Sequence, residues 1–154
     1  MPVPVLLGLV LVGIAVAVIS GYALGSARQP GPVALIPGEP DAVTIARYGP
    51  NTSESLGASR IPERVMTVTD AKEVAKLASD ANSLPAFPKG GFSCPNSDGS
   101  YYQVRFAFAT GDRRTLFVER NGCEGVGFDE QPDHSVAWSM TDHRFLDDLD
   151  ALFG

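Results

Sequence analysis

The N-terminal segment constrains this chain most, because residues 1–27 contain no Asp, Glu, Lys or Arg. Residues 3–24 are 22 consecutive, mostly aliphatic residues. As a helix they would extend roughly 33 Å, enough to cross the ~30 Å hydrocarbon core of a bilayer. The alternative is a cleaved signal peptide, with the small residues Gly25 and Ala27 before the cleavage site. Signal peptides usually have a shorter apolar region that follows positive charges, so the sequence favours an uncleaved transmembrane anchor.

Two further properties of this segment concern its orientation and its contacts. Arg28 is the only basic residue close to either end, and the positive-inside rule would place it in the cytoplasm. We give more weight to the cysteine pair described below, which favours an extracytoplasmic domain. Small residues also recur every four positions, along one helix face, a spacing that allows two membrane helices to approach closely. The segment is therefore a candidate homo-oligomer contact through Gly13, Ala17, Gly21 and Gly25.

Residues 28–63 are predicted to form a tether between this anchor and a folded domain. They contain six Pro and four Gly, a composition that breaks regular structure and gives a semi-extended chain. Residues 42–48 are an exception, because their side chains alternate as in a β-strand. We expect a short edge strand there.

The folded domain is predicted to span residues 64–154. Its first strand covers residues 64–68, and a helix follows with Asp70 as N-cap and Glu73 three residues later. Residues 101–109 and 115–120 alternate on either side of a turn at 110–112, which predicts a β-hairpin.

The C-terminal part of the domain completes this order of elements. A further short strand is predicted at residues 136–138, and a last helix with Thr141 as N-cap. The fold class is therefore α+β: a small antiparallel sheet with a central hairpin and two helices packed on one face. We expect Trp138, Tyr101 and Phe128 to belong to its core, as large aromatic residues usually do.

The two cysteines flank the predicted hairpin. Cys94 lies just before it and Cys123 just after it, so both fall at its open end, where their Cα atoms could approach within the ~4.4–6.8 Å of a disulfide. Disulfides persist in oxidising compartments, which agrees with an exported domain. The alternative is a pair of free thiols in a cytosolic domain. No neighbouring residue identifies a base for a catalytic cysteine.

Several short motifs of the domain are similar to those of small extracytoplasmic domains of actinobacterial type. They are Val68-Thr69-Asp70-Ala71, Leu84-Pro85, Cys94-Pro95, Tyr101-Tyr102 and Gly122-Cys123. The resemblance covers residues 65–153 and implies an exported domain with one disulfide. It implies no activity, and this chain departs from the group in its acidic C-terminal end.

The acidic charge is concentrated at that end. The chain has a net charge of −6, and residues 129–154 contain seven acidic residues against one arginine. Three of the acids fall late in the last helix, where they oppose the helix dipole, which hints at a basic partner. Carboxylates and imidazoles in this region could also contact a partner or a divalent cation. The predicted surface consists of Asp129, Glu130, Asp133, His134, Asp142 and His143, although a solvated acidic loop explains the same pattern, and we predict no metal.

The sequence indicates a binding protein more than an enzyme. It contains no phosphate-binding Gly-rich loop, no G-x-S-x-G and no H-E-x-x-H, so we predict neither catalytic residues nor a cofactor. The acidic charge argues against a nucleic-acid partner. We expect a single-pass, membrane-anchored extracytoplasmic binding or accessory domain with an unknown protein partner. The alternative is a secreted inhibitor or effector, released by cleavage after Ala27.

Overall fold

The structure, a computed structural model, describes residues 34–51, 60–89, 93, 95–129 and 135–154. Among these residues no helix has the length and apolar character needed to span a bilayer. The predicted anchor at residues 3–24, with its stripe of small residues, lies outside the described part of the chain. The folded unit begins at Ala34 and ends at Gly154.

A six-stranded antiparallel sheet forms the centre of this unit, with its strands in the order β2-β1-β3-β4-β5-β6. The strands, numbered along the chain, are β1 (Ala42–Tyr48), β2 (Arg64–Val68), β3 (Tyr101–Ala107), β4 (Arg113–Glu119), β5 (Gly125–Gly127) and β6 (Ser135–Trp138). The predicted central hairpin is confirmed as β3 and β4, which pair from Tyr101–Glu119 to Ala107–Arg113. The turn between them includes Gly111, whose φ of +86° glycine adopts without steric cost.

Two helices cover one face of the sheet. The first, α1 (Ala71–Ser83), begins as predicted: Asp70 Oδ1 accepts a hydrogen bond from the backbone N–H of Glu73 at 3.0 Å. The second, α2 (Arg144–Phe153), begins three residues after the predicted Thr141 and has no side-chain cap. The prediction of a Thr141 cap is wrong because the chain first forms a tight turn, in which Asp142 N donates to Ser139 O at 3.0 Å.

The hydrophobic core lies between the helices and the sheet. Alternate residues of the central strands point into it, and both helices contribute their apolar stripes. The fully buried sheet residues are Val43, Ile45, Tyr102, Val104, Phe106, Leu116, Val118 and Val126. The predicted α+β architecture is therefore confirmed.

The predicted tether contributes to this core, which is the main difference from the sequence-based organisation. Strand β1 lies between β2 and β3 and pairs with both, so the prediction of an edge strand is wrong. Leu35 and Ile36 are buried, and the Asn82 side chain bonds both the N–H and the carbonyl of Ile36, at 2.8 and 2.9 Å. Local Pro and Gly content excludes a helix here, but it does not exclude pairing with distant strands.

The two edges of the sheet differ. Strand β6 is covered on its outer side by residues 85–87, where Phe87 N donates to Val136 O and Trp138 N donates to Pro85 O. Strand β2 forms the other edge. Strand β5 was absent from the sequence-based prediction, since three residues with two glycines carry no alternating pattern.

Candidate functional site

The face of the sheet opposite the helices carries a group of stacked aromatic side chains. The rings of Tyr48 and Tyr101, on neighbouring strands, stack with centroids 4.5 Å apart and an interplanar angle of 13°. Phe117, on β4, lies with its ring centroid 5.9 Å from that of Tyr101. Tyr101 is half-buried and belongs to this group, so its predicted place in the core is wrong. The alternation of β3 sends Tyr102 to the core and Tyr101 to the open face.

Arg60 fixes this aromatic group to the loops around it. Its guanidinium carbon lies 4.9 Å from the ring centroid of Tyr101 and 5.7 Å from that of Tyr48, a cation–π arrangement. The same guanidinium donates to Gly99 O at 2.8 Å and to Gly49 O. Arg60 therefore links the segments before β2 and before β3 and holds the Tyr101 ring in place.

A cavity of about 340 Å³ opens beside Tyr101 and Phe117. Its polar lining consists of Asn51, Arg60, Ser97, Ser100, Glu119, Asp129 and Ser135. Backbone at Gly99, Gly125 and Gly127 completes the wall. The cavity thus combines aromatic rings, carboxylates, hydroxyls and an amide, the mixture of apolar and polar groups that is typical of small-molecule sites.

Glycine is needed at position 125 of this wall. A Cβ atom there would lie 2.2 Å from Ser135 Oγ and 3.3 Å from Phe87 Cε2. Any larger residue would have to displace β6 or its side chains. The absence of a side chain at Gly125 therefore makes room for the Ser135 side chain, which lines the cavity.

Residues 97–100, directly before β3, are held at the rim of the cavity by hydrogen bonds. Asp98 Oδ1 accepts hydrogen bonds from Ser100 N at 2.8 Å and from Ser100 Oγ at 2.6 Å. These bonds lower the pKa of the Asp98 carboxyl. Asn51 N donates to Asp98 O at 2.7 Å, and Asn121 Nδ2 donates to Ser100 Oγ at 3.2 Å. Hydrogen bonds at the rim therefore join three separate segments of the chain, at residues 51, 98–100 and 121.

The predicted acidic surface is divided in the structure. Asp129 is exposed and lines the cavity. Asp142 instead accepts hydrogen bonds from the Arg144 guanidinium, which lowers the pKa of its carboxyl to about 2. His143 Nδ1 lies 3.2 Å from Glu124 Oε2. The remaining members, at positions 130, 133 and 134, lie outside the described residues. No cluster of three or more His, Cys, Asp or Glu that could hold a metal ion occurs in the described part of the chain.

Two acids of the last helix have partners within the domain. Asp148 forms an ion pair with Lys76 of α1. Asp150 Oδ1 accepts a hydrogen bond from the Tyr102 hydroxyl and lies 3.2 Å from Arg120 Nη2. Burial and the bond to Asp150 raise the pKa of Tyr102 to about 12. These carboxylates dock α2 on α1 and on the sheet, so their position in the helix does not require a basic partner.

One of the two predicted disulfide cysteines is described. Cys123 is half-buried, and its carbonyl accepts a hydrogen bond from Trp138 Nε1 at 2.7 Å. The described residues include no free cysteine. Cys94 lies outside them, so its pairing with Cys123 stays a prediction.

Sequence reasoning missed the cavity because its walls come from separate segments of the chain. The alternation of β3 and β4 does place Tyr101, Phe117 and Glu119 on one face, and this was the available signal. Comparison of the chain with protein-family models, with curated proteins and with solved structures finds no match. The geometry of the cavity is therefore the basis for assigning a function.

Proposed function

We propose that this chain is a membrane-anchored extracytoplasmic binding protein whose ligand site is the cavity on the open face of the sheet. The observation that carries the proposal is the cavity itself, a site of about 340 Å³ beside Tyr101 and Phe117. Its volume lies at the lower end of the ~300–1,000 Å³ range of small-molecule sites. The uncharged segment at residues 3–24 supports the anchor, and the cysteine pair supports an exported domain.

The construction of the site supports binding without a large rearrangement. Arg60 fixes the Tyr101 ring, and hydrogen bonds around Asp98 and Ser100 fix the rim. The opposite side of the same strands is packed in the core. A site whose walls are already ordered loses less conformational entropy when a ligand binds, which increases affinity.

A thermal-shift screen of the full-length protein against small molecules of varied chemistry tests the binding function. We expect some compounds to raise the melting temperature of the wild type. The same compounds should fail to do so for Phe117→Ala, while the matched control Phe128→Ala, an exposed aromatic outside the lining, keeps the response. Hits that stabilise Phe117→Ala and the wild type equally would contradict the assignment of the site.

The N-terminus decides between an anchored and a secreted protein. The secreted alternative, an inhibitor or effector, requires cleavage after Ala27. Mass spectrometry of the protein from its membrane fraction and from the medium separates the two forms. A chain beginning at residue 1 in membranes supports the anchor, and a chain beginning at Arg28 in the medium supports secretion. Protease treatment of intact cells should remove the domain if it is extracytoplasmic, and protection of the domain would refute that orientation.

A further inference from the structure

We infer that the domain contacts an anionic lipid bilayer through Arg105 and Arg113, at the turn end of the open face of the sheet. This inference rests on the proposed membrane anchor and concerns a surface separate from the cavity. Arg105 lies between Val104 and Phe106, which are buried in the core, so its side chain points to the open face. Arg113 begins β4, on the same face as Phe117. Both arginines are exposed and stand one diagonal step apart in the strand register, at about 7–8 Å.

The side chains around Arg105 are uncharged. The strand register places Thr44 and Thr115 directly beside it, on β1 and β4. Gln103 and Ala107 lie two residues away along β3, on the same face. Within the described part of the chain, the Arg105 guanidinium has no ion pair and no hydrogen bond. Its charge is therefore available to a partner outside the domain.

Arg113 is likewise free of a partner among the described residues. Asp112 precedes it, but the Asp112 carboxylate accepts a hydrogen bond from the Thr110 hydroxyl at 2.8 Å and forms no ion pair with Arg113. Guanidinium groups form bidentate hydrogen bonds with phosphate, the anionic group of lipid headgroups. The hydroxyls of Thr44 and Thr115, beside the other arginine, add further donors.

Acidic side chains are concentrated in the opposite layer of the domain. Helix α2 contains Asp147, Asp148 and Asp150 against one arginine, and it packs on the core face of the sheet. An anionic surface therefore attracts the turn end of the open face and repels the helix layer, which favours one orientation of the domain. The charge distribution thus favours an anionic partner for this face, although the chain as a whole is acidic.

The chain enters the folded unit close to the same end of the sheet. Arg114, next to Arg113, donates from Nε to Leu35 O at 3.1 Å, and the folded unit begins at Ala34. The predicted anchor ends at residue 24, and the ten residues that follow it span at most about 35 Å when extended. An anchored chain would therefore keep the domain close to lipid headgroups, at a high effective concentration that favours even a weak contact.

The cavity stays accessible in this orientation. Tyr101 and Glu119, which line it, stand at the end of β3 and β4 that lies away from the turn. The six residues from Tyr101 to Ala107 extend about 20 Å along the strand. Contact of the turn end with a bilayer would therefore hold the cavity away from the lipid and open to its ligand.

Full-length protein in lipid nanodiscs, with one copy per disc, tests the inference. Every sample carries Ala109→Trp in the exposed turn, and brominated lipids quench the emission of this tryptophan on contact. Protein without the substitution supplies the background from Trp138. We expect strong quenching in discs that contain phosphatidylglycerol and at least about five-fold weaker docking in discs of phosphatidylcholine alone. Added salt should release the contact, because it screens exposed charges.

Variants assign the contact to the two arginines. Arg105→Gln and Arg113→Gln should each lower the docking equilibrium constant about five-fold, the contribution of one basic residue near an anionic surface. The double variant Arg105→Lys/Arg113→Lys keeps the charge and should dock more tightly than Arg105→Gln/Arg113→Gln, which a purely structural role would not predict. The control Lys72→Gln removes an exposed cation from α1, in the opposite layer, and should leave the quenching unchanged.

Other outcomes overturn the inference and separate it from the proposed function. Equal quenching in both lipids, or quenching that the double glutamine variant retains, would show a contact without the arginines. Contact that requires two copies per disc would identify a second copy as the partner instead of lipid. A chain that enters the discs but is not quenched would remove the lipid contact and leave the anchor and the cavity standing. A chain that does not enter the discs at all would overturn the anchor itself, while the thermal-shift screen tests the cavity independently.

Discussion

The contribution of the C-terminal helix to stability can be predicted from a single leucine. Leu149 of α2 is fully buried in the hydrophobic core. Replacing such a leucine by alanine removes buried methyl groups and leaves a cavity, at a cost of roughly 2.7–5.0 kcal/mol in comparable cores. We expect Leu149→Ala to lower the free energy of unfolding by about 3–4 kcal/mol. That is a large part of the ~5–15 kcal/mol that stabilises a typical domain.

A matched control lies on the same helix. Leu152 is only partly buried, although it packs against the same core. Leu152→Ala makes the same chemical change with the same change in helix propensity, so the difference between the two variants measures burial. We expect Leu152→Ala to cost about 1 kcal/mol, since burying apolar surface contributes roughly 25 cal/mol per Å².

Denaturant unfolding followed by fluorescence provides the assay. The chain has one tryptophan, Trp138, whose indole N–H bonds the Cys123 carbonyl and whose ring meets Phe87 edge to face. Unfolding breaks both contacts, so the emission reports the transition. The slopes against denaturant should be equal for both variants. Equal losses for Leu149→Ala and Leu152→Ala would refute the packing of α2 against the sheet.

Four further predictions follow from local features. The pKa of Tyr102 is about 12 in the folded state against about 10 when unfolded, so its stabilising contribution is complete below pH 10 and is lost as the pH rises toward 12. The stability advantage of the wild type over Tyr102→Phe should therefore shrink between about pH 10 and 12, and a constant advantage across that range would contradict it. Asp70→Ala, which removes the α1 N-cap, should cost about 1 kcal/mol in chemical unfolding, against no loss for Asp70→Ser. Gly125→Ala should lower the melting temperature through contact with Ser135, and Gly125→Ala/Ser135→Gly should recover part of that loss. Non-reducing peptide mapping should find the two cysteines joined, and removing that bond should cost roughly 2–5 kcal/mol; two free thiols would refute the pairing.

The elements that could be predicted from the sequence are those determined by neighbouring residues. The hairpin of β3 and β4 follows from alternation around a short turn, and α1 follows from apolar spacing after Asp70. The position of β1 could not be predicted in this way. Its partners in β3 lie 53–65 residues further along the chain, and no local pattern specifies which strands lie on either side of it.

The candidate site was less predictable than the fold for a similar reason. Charge content predicted the acidic C-terminal end. It did not predict that Asp148 would pair with Lys76. It also did not predict that Asp150 would contact Tyr102 and Arg120. These pairings depend on how α2 packs across the core. The cavity likewise requires Arg60, which sequence reasoning placed in the tether, to reach the rings of a strand that begins 41 residues later.

The core and the cavity are built by alternate residues of the same two strands. Tyr102 and Val118 pair on the core face, while Tyr101 and Glu119 pair on the open face. Packing of the core residues therefore fixes the spacing between the cavity residues. Substitutions on the open face, such as Glu119→Gln, should consequently change ligand binding at the proposed site with little effect on stability, because they leave the packed face intact. Substitutions on the core face should lower stability with little effect on binding, as long as the sheet stays folded. A preorganised binding site on a rigid pair of strands requires this separation between packing and binding.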